Sequence, residues 1–153
     1  MSNNNWGNSV WTFLHVLAEK MNPEAYKLNT VYVVEVVKNV CYNLPCPTCS
    51  QHARSYLNRV SIESIKDVEQ LKQMLYNFHN SVNLMRGHKA EKKEILNRYK
   101  SITIEESLWN LQIYYAKRYR SALELSFITN DSLRKDICNN IIVWITKYRH
   151  LFK

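Results

Sequence analysis

The sequence predicts an all-α protein, and three observations carry that expectation. Glycine occurs only at Gly7 and Gly87, and the three prolines all precede residue 48. Chain breakers are therefore scarce across most of the 153 residues, which favours long helices. Apolar residues recur at helical spacing in most segments, and no pair of alternating apolar and polar runs offers itself as paired strands.

Each element follows from that spacing. Val10, Phe13, Leu14 and Leu17 give residues 6–20 one apolar face, with Trp11 and His15 one turn apart beside it. Asn22-Pro23 breaks this helix. Residues 29–43 read as a second helix. The valine-rich run Val31–Val37 would suit a strand on propensity, but no partner strand exists for it. Leu44-Pro45-Cys46-Pro47 turns into a third helix over 47–59, with Pro47 at the first helical position and Cys46 at the N-cap. Polar starters at 61–68 lead into a fourth helix carrying Leu71, Leu75, Phe78 and Val82, which Gly87 ends. A short charged helix is expected over 89–99, and two more over 104–126 and 131–151, the last with Ile137, Ile141, Ile145 and Tyr148 in register. The expected architecture is a four-helix bundle with a short fifth helix plus a helical C-terminal extension. No repeat or low-complexity linker appears, and residues 100–103 are the best place for a boundary, giving a bundle over 1–100 and an extension over 101–153.

Composition removes several function classes. With glycines only at positions 7 and 87, neither G-x-G-x-x-G nor G-x-x-x-x-G-K-[ST] can be written. A nucleotide cofactor would have to be held by side chains on helices. The net charge of +8 is compatible with nucleic acid, an acidic lipid surface or a phosphate-bearing cofactor. Lys and Arg are dispersed without a block of five or six, which argues against nucleic acid. The first ten residues are polar and asparagine-rich, unlike a signal peptide, and no apolar run nears the roughly 18 residues that span a bilayer. A cytoplasmic or nuclear location is expected. Four cysteines in a reducing compartment suggest catalytic or metal-binding use rather than a structural disulfide framework.

Three patches carry chemistry. Cys46-Pro47-Thr48-Cys49 can close a reducible disulfide at a helix N-terminus, where unpaired N–H groups and the helix dipole favour thiolate. Alone, this spacing leaves redox, zinc and neither equally open. For zinc, Cys46, Cys49 and His52 could supply three ligands with His79 or Cys41 as the fourth, but no second C-x-x-C or H-x3-H pair exists. His79, Asn80 and Asn83, with Val82 beside them, place an imidazole and two amides on a helix that also carries core positions. Burying such groups without partners is costly, and they suit a flat heteroaromatic ligand with hydrogen-bonding edges. Trp6, Trp11 and His15 offer a second flat, polar-tipped surface. The remaining Cys41 and Cys138 could pair, bridge protomers or shuttle electrons, and are favoured as buried free thiols.

Taken together, W-G-x3-W-x2-L-H at Trp6–His15, C-P-x-C-x2-H at Cys46–His52 and H-N-x-V-N at His79–Asn83 resemble the Erv/ALR family of FAD-dependent sulfhydryl oxidases. The match covers roughly residues 5–90, and the compact form resembles the versions encoded by large DNA viruses. The resemblance implies FAD as cofactor, a homodimeric four-helix bundle with a fifth helix, and a thiol oxidase that forms disulfides in protein substrates and releases hydrogen peroxide from oxygen. It implies Cys46 as the interchange thiol facing substrate and Cys49 as the thiol against the isoalloxazine. Trp11, His15, His79 and Asn83 would contact FAD, with Trp6, Gly7, His52, Asn80 and Val82 supporting. Lys89 and Tyr99 are the candidates for pyrophosphate and adenine contacts. Asn8-Ser9 stands where the family often has an arginine, Arg86-Gly87-His88-Lys89 approximates the family's Leu-Gly-Lys-type turn, and no shuttle cysteine pair is present. The implied partner is a small redox carrier protein, with no membrane or nucleic acid. The alternative is a zinc-stabilised or basic helical binding module with a structural C-x-x-C.

Overall fold

In the computed structural model, residues 5–119 and 131–153 are described. Six α-helices follow in order: α1 (Asn5–Lys20), α2 (Pro23–Tyr42), α3 (Pro47–Arg59), α4 (Val68–Met85), α5 (Ile104–Tyr114) and α6 (Asp131–Lys147). Short 3-10 helices lie at Ile62–Ser64, Lys93–Ser101 and Arg149–Leu151. No strand occurs among the described residues; an isolated antiparallel bridge joins Met21 to Phe152. The all-α expectation is met.

The centre of the molecule is α1. Val10, Phe13, Leu14, Val16, Leu17 and Ala18 are all buried, a set too wide for a single stripe. One side of α1 faces α4, and α5 and the 3-10 helix Lys93–Ser101 pack on it as well. Ile104, Leu108 and Leu111 of α5 and Ile137, Ile141, Trp144 and Ile145 of α6 belong to the same apolar core as the first four helices. The C-terminus returns to the α1–α2 turn, where Lys153 N donates to Lys20 O at 2.6 Å and Asn22 N to Leu151 O at 2.9 Å.

Several boundaries differ from the sequence expectation. α2 begins at Pro23, not at residue 29, because the proline that ends α1 also suits the first position of a new helix. The expected start survives as a kink: Asn29 has φ −124° and ψ 20°, and its side-chain Nδ2 donates to Ala25 O at 2.8 Å. α4 starts at Val68, after a separate 3-10 turn entered through Ser61 at φ 54°. Asp67 caps it by accepting from Gln70 N at 2.9 Å, and Gln70 reaches back to accept from Lys66 N at 2.8 Å. The helix expected over 89–99 is instead the 3-10 helix Lys93–Ser101. Its apolar residues are too few for an α-helical stripe, whereas the 3-10 repeat aligns Leu96 with the buried Tyr99 on one side. α5 ends at Tyr114, and residues 120–126 of the expected longer helix lie outside the described residues. α6 gives way to a 3-10 turn before 151.

Gly87 terminates α4 as expected, through a Schellman closure. Gly87 N donates to Leu84 O at 3.1 Å and His88 N to Asn83 O at 2.8 Å, while Gly87 holds the left-handed φ of 81° that a side chain would strain.

α5 and α6 are also tied to α2 by polar contacts. The buried Tyr115 hydroxyl donates to Val40 O at 3.0 Å, near the C-terminus of α2. The buried Arg134 guanidinium donates from Nε to Tyr115 O at 2.7 Å and from a terminal nitrogen to Lys117 O at 3.0 Å. Tyr115→Phe is expected to lower stability by about 1 kcal/mol and Arg134→Met by about 2–4 kcal/mol, since the latter leaves the buried Tyr115 carbonyl without its donor and also frees Lys117 O. Equilibrium urea unfolding checks the order; an Arg134→Met variant as stable as the parent would refute the role of this buried cation.

Candidate active site

The C-x-x-C stretch sits where its sequence placed it, at the N-terminus of α3. Pro47 takes the first turn, and Cys46 Sγ accepts from Cys49 N at 3.2 Å. Cys46 and Cys49 are joined as a disulfide with Cα atoms 5.2 Å apart. The preceding loop is held to the helix by Leu44 N, which donates to Ser50 Oγ at 2.8 Å.

This disulfide opens into a cavity of about 520 Å³. Its walls are Trp6, Gly7, Val10, Trp11 and Leu14 of α1, and Cys41 and Leu44 at the end of α2. Cys46, Thr48, Cys49, His52 and Ala53 of α3 face Phe78, Val82, Met85 and Arg86 at the end of α4. The lining carries no carboxylate and is largely apolar.

A second, more polar cavity of about 210 Å³ is lined by Asn8, His15, Tyr76, His79, Asn80, Asn83, Glu91, Ile95, Leu96, Arg98 and Tyr99. Between the two stands a column of rings. Trp11 lies on His79 at 4.1 Å and 5° between planes, and its edge meets Phe78 at 5.0 Å. His15 lies on Tyr99 at 4.6 Å. His15 Nε2 and His79 Nδ1 are 3.0 Å apart and share a hydrogen bond.

Burial holds this histidine pair neutral. It lowers His15 to about 3, helped by the charges on His79 and Arg98, and His79 to about 4, helped by Arg98. The other two thiols are likewise desolvated. Cys41 and Cys138 are buried and unpaired, and burial pushes each up to about 12. They are held as thiols at neutral pH, unlike a sulfur at a helix N-terminus.

The expected residues thus divide between two chambers: Trp6, Gly7, Trp11, His52 and Val82 with the disulfide, and His15, His79, Asn80, Asn83 and Tyr99 in the polar one. Lys89 is exposed and lines neither. Asn80 spends its amide on the chain: Nδ2 donates to Glu91 O at 3.0 Å and Oδ1 accepts from Glu91 N at 2.8 Å. Arg98, Asn8, Tyr76 and Glu91 were not foreseen. No sequence signal marks Arg98, which is brought in by the 3-10 segment. Among the described residues, no three His, Cys, Asp or Glu side chains converge as metal ligands, and no helix is long and apolar enough to cross a membrane.

The Erv1/Alr family model matches residues 8–100, a span that contains the disulfide and, apart from Trp6 and Gly7, every residue that lines the two chambers. The chain belongs to the Erv1/Alr family. Among its relatives, a protein of African swine fever virus named FAD-linked sulfhydryl oxidase is 30% identical over 114 residues, or 73% of this chain and 89% of its own length. A provisionally named FAD-linked sulfhydryl oxidase, 347L, of Invertebrate iridescent virus 6 is 26% identical over 93 residues, covering 54% of this chain and 79% of its own. A protein of the same name from a second African swine fever virus isolate is 28% identical over 78 residues, covering 51% of this chain and 65% of its own. No solved structure matches the chain.

This Erv1/Alr chain fits an FAD by the character of its two chambers. The apolar one has room and flat walls for a ring system beside the disulfide, and the polar one has amides, imidazoles and the Arg98 guanidinium for a nucleotide.

The histidine pair makes stability pH-dependent. Both folded values lie below the ordinary 6.5, so the unfolded chain binds more protons and stability falls as pH drops from about 6.5 toward 4. At pH 5 each neutral histidine forfeits about 2 kcal/mol. Thermal melts of flavin-free protein should fall between pH 7 and 5, less steeply in His79→Gln; a flat profile would contradict the neutral pair.

Proposed function

We propose that this protein is an FAD-linked sulfhydryl oxidase that forms disulfide bonds in protein substrates, with Cys46 and Cys49 as its redox-active pair. The observation that carries this reading is the disulfide at the N-terminus of α3 opening into the apolar chamber it shares with Trp6, Trp11 and His52. Family membership and the names of the viral relatives support it.

The chain's own residues would act as follows. A substrate thiolate attacks Cys46 Sγ, forming a mixed disulfide as the Cys46–Cys49 bond breaks. A second substrate thiolate attacks the mixed disulfide and displaces Cys46 as a thiolate, so two electrons pass from the substrate to the pair, the substrate's thiol protons having already gone to solvent. Cys49, released as thiolate one turn inside α3, is stabilised by the helix N-terminal N–H groups and dipole. The chemistry that a bound FAD would supply is acceptance of this electron pair and its delivery to oxygen, which with two protons from solvent would leave as hydrogen peroxide. Trp6, Gly7, Trp11, His52 and Val82 would hold the flavin ring and exclude water from Cys49. His15, His79, Asn83 and Tyr99 would hold the remainder, with Arg98 rather than Lys89 as the nearby cation. Asn80 keeps the residue-91 backbone in place at the second chamber.

Residues 1–100 would form the oxidase bundle and 101–153 an extension packed on it. The substrate class is a thiol-bearing protein, with a small redox carrier as the favoured kind. The zinc-stabilised reading has no converging ligand set to draw on among the described residues.

Purified protein should be yellow, absorbing near about 450 nm as bound flavins do. Cys49→Ser should keep that colour and lose thiol-dependent oxygen uptake almost completely. Colourless protein that takes up no flavin, or a Cys49→Ser variant with normal turnover, would refute the assignment.

A homodimer is the proposed assembly. A groove of about 440 Å³ between α2 and α6 includes Tyr32, Val36, Ile137, Val143 and Trp144, and Leu28 and Val31 are exposed on the same α2 helix. Sedimentation should give twice the 18.2 kDa chain mass; a monomer at micromolar concentration would end this proposal.

A further inference from the structure

The sequence distributes its charge unevenly around the disulfide. Residues 1–18, 36–62 and 70–90 contain no Asp or Glu, although the chain has 13 such residues. All the side chains that line the disulfide chamber come from these three stretches. α3, which carries the disulfide, has two arginines, one histidine and no acid.

Of the acids that flank these stretches, Glu91 lines the other chamber and the remaining four are engaged by lysines. Glu35 and Glu63 lie 3.9 and 2.6 Å from Lys38, and Glu19 and Glu69 lie 3.5 and 3.4 Å from Lys72. The α3 arginines have no carboxylate partner among the described residues. Arg54 lies over the Tyr42 ring at 4.0 Å and Arg59 over the Tyr56 ring at 5.1 Å. Both are exposed, and neither lines the flavin chamber, so the cofactor does not account for them. Across the mouth, exposed Met85 and Arg86 line the chamber that Cys46 opens into, next to Leu84, which is 62% exposed. The cationic helix α3 and the exposed Met85 thus border the chamber that holds the disulfide, with exposed Leu84 next to Met85 in the chain.

We propose that this face, the outer surface of α3 with Leu84 and Met85, docks a polypeptide whose reactive cysteines sit in an acidic segment with an apolar residue beside them. This rests on the oxidase reading and adds the chemical class of its substrate. Charge complementarity selects the partner: opposite charge speeds encounter and like charge suppresses it, in a salt-dependent way. The aligned N–H groups of α3 add positive potential where the substrate thiolate must approach. A disulfide at the centre of the face favours a thiol-bearing polypeptide over nucleic acid.

The test compares flavin-loaded full-length protein acting on dithiothreitol and on two C-x-x-C peptides, one flanked by Asp and Glu and one by Lys. At low ionic strength kcat/KM for the acidic peptide should exceed that for the Lys peptide by about tenfold, and the gap should close near 0.5 M salt, where screening removes it. The double reversal Arg54→Glu/Arg59→Glu should shrink or invert the preference while leaving dithiothreitol turnover and flavin content unchanged. Should that variant fail to fold, the salt dependence of the parent protein still decides. Equal rates on both peptides, with dithiothreitol oxidised normally, would overturn the docking proposal and leave the oxidase reading intact. So would a short oligonucleotide that binds this face while the peptides are not discriminated. Absence of dithiothreitol-dependent oxygen uptake would instead remove the oxidase reading itself.

Discussion

Burial of α1 on more than one side is the constraint on which the rest depends. A helix covered only by α4 would leave Val16 or Val10 in water. Here α5 and the 3-10 helix Lys93–Ser101 pack on it too, and every apolar side chain from Val10 to Ala18 apart from the half-buried Trp11 is buried. Because α1 is fixed this way, its polar-tipped residues are fixed as well. Trp11 and His15 become part of the wall between two chambers rather than mobile surface groups. Held side by side with His79 and Tyr99, they present flat surfaces at little entropic cost to a ligand, since their rotamers are already set.

The four cysteines show how position on a helix separates sulfur chemistries. Cys46 and Cys49 lie at the start of α3, where backbone N–H groups and the dipole favour thiolate. Cys41 lines the same chamber but comes from the last turn of α2, is fully desolvated and is raised to about 12. The three cysteines that line one cavity thus differ in reactivity, because Cys46 and Cys49 stand at a helix N-terminus and Cys41 is desolvated by burial. Cys138, on the far side of Tyr115, is likewise held as a thiol.

The C-terminal third does more than cover apolar surface. Tyr115 accepts Arg134 on its carbonyl and gives its hydroxyl proton to Val40 O. Val40 O also accepts from Asn43 N at 3.4 Å at the end of α2, and Val40 is followed by Cys41 and, after Tyr42, by the loop that carries the disulfide. The C-terminal segment therefore reaches the residue next to Cys41, in the wall of the disulfide chamber, through one buried hydrogen bond that Arg134 backs from behind.

Much of this was legible in the residues. The scarcity of Gly and Pro, the apolar spacing, Pro47 behind Cys46 and Gly87 after Met85 are local signals, and helices α1, α3 and α4 follow from them, whereas the C-x-x-C spacing alone left the disulfide open. Local signals were also incomplete: Pro23, which breaks α1, starts α2 as well, and the short charged helix expected over 89–99 forms as a 3-10 helix over Lys93–Ser101. Those choices belong to tertiary contact, since the 3-10 geometry pays off only where Tyr99 finds His15. Arg98 and the carboxylate-free rim are of the same kind. By itself the sequence determined which side chains could do redox chemistry and on which helix ends they would stand, because backbone propensity and capping are short-range. Only the tertiary structure decided that two chambers meet at Trp11 and His79, and that Arg54 and Arg59 face outward without acids. Such pairings join residues far apart in the chain, and nothing in local spacing encodes them.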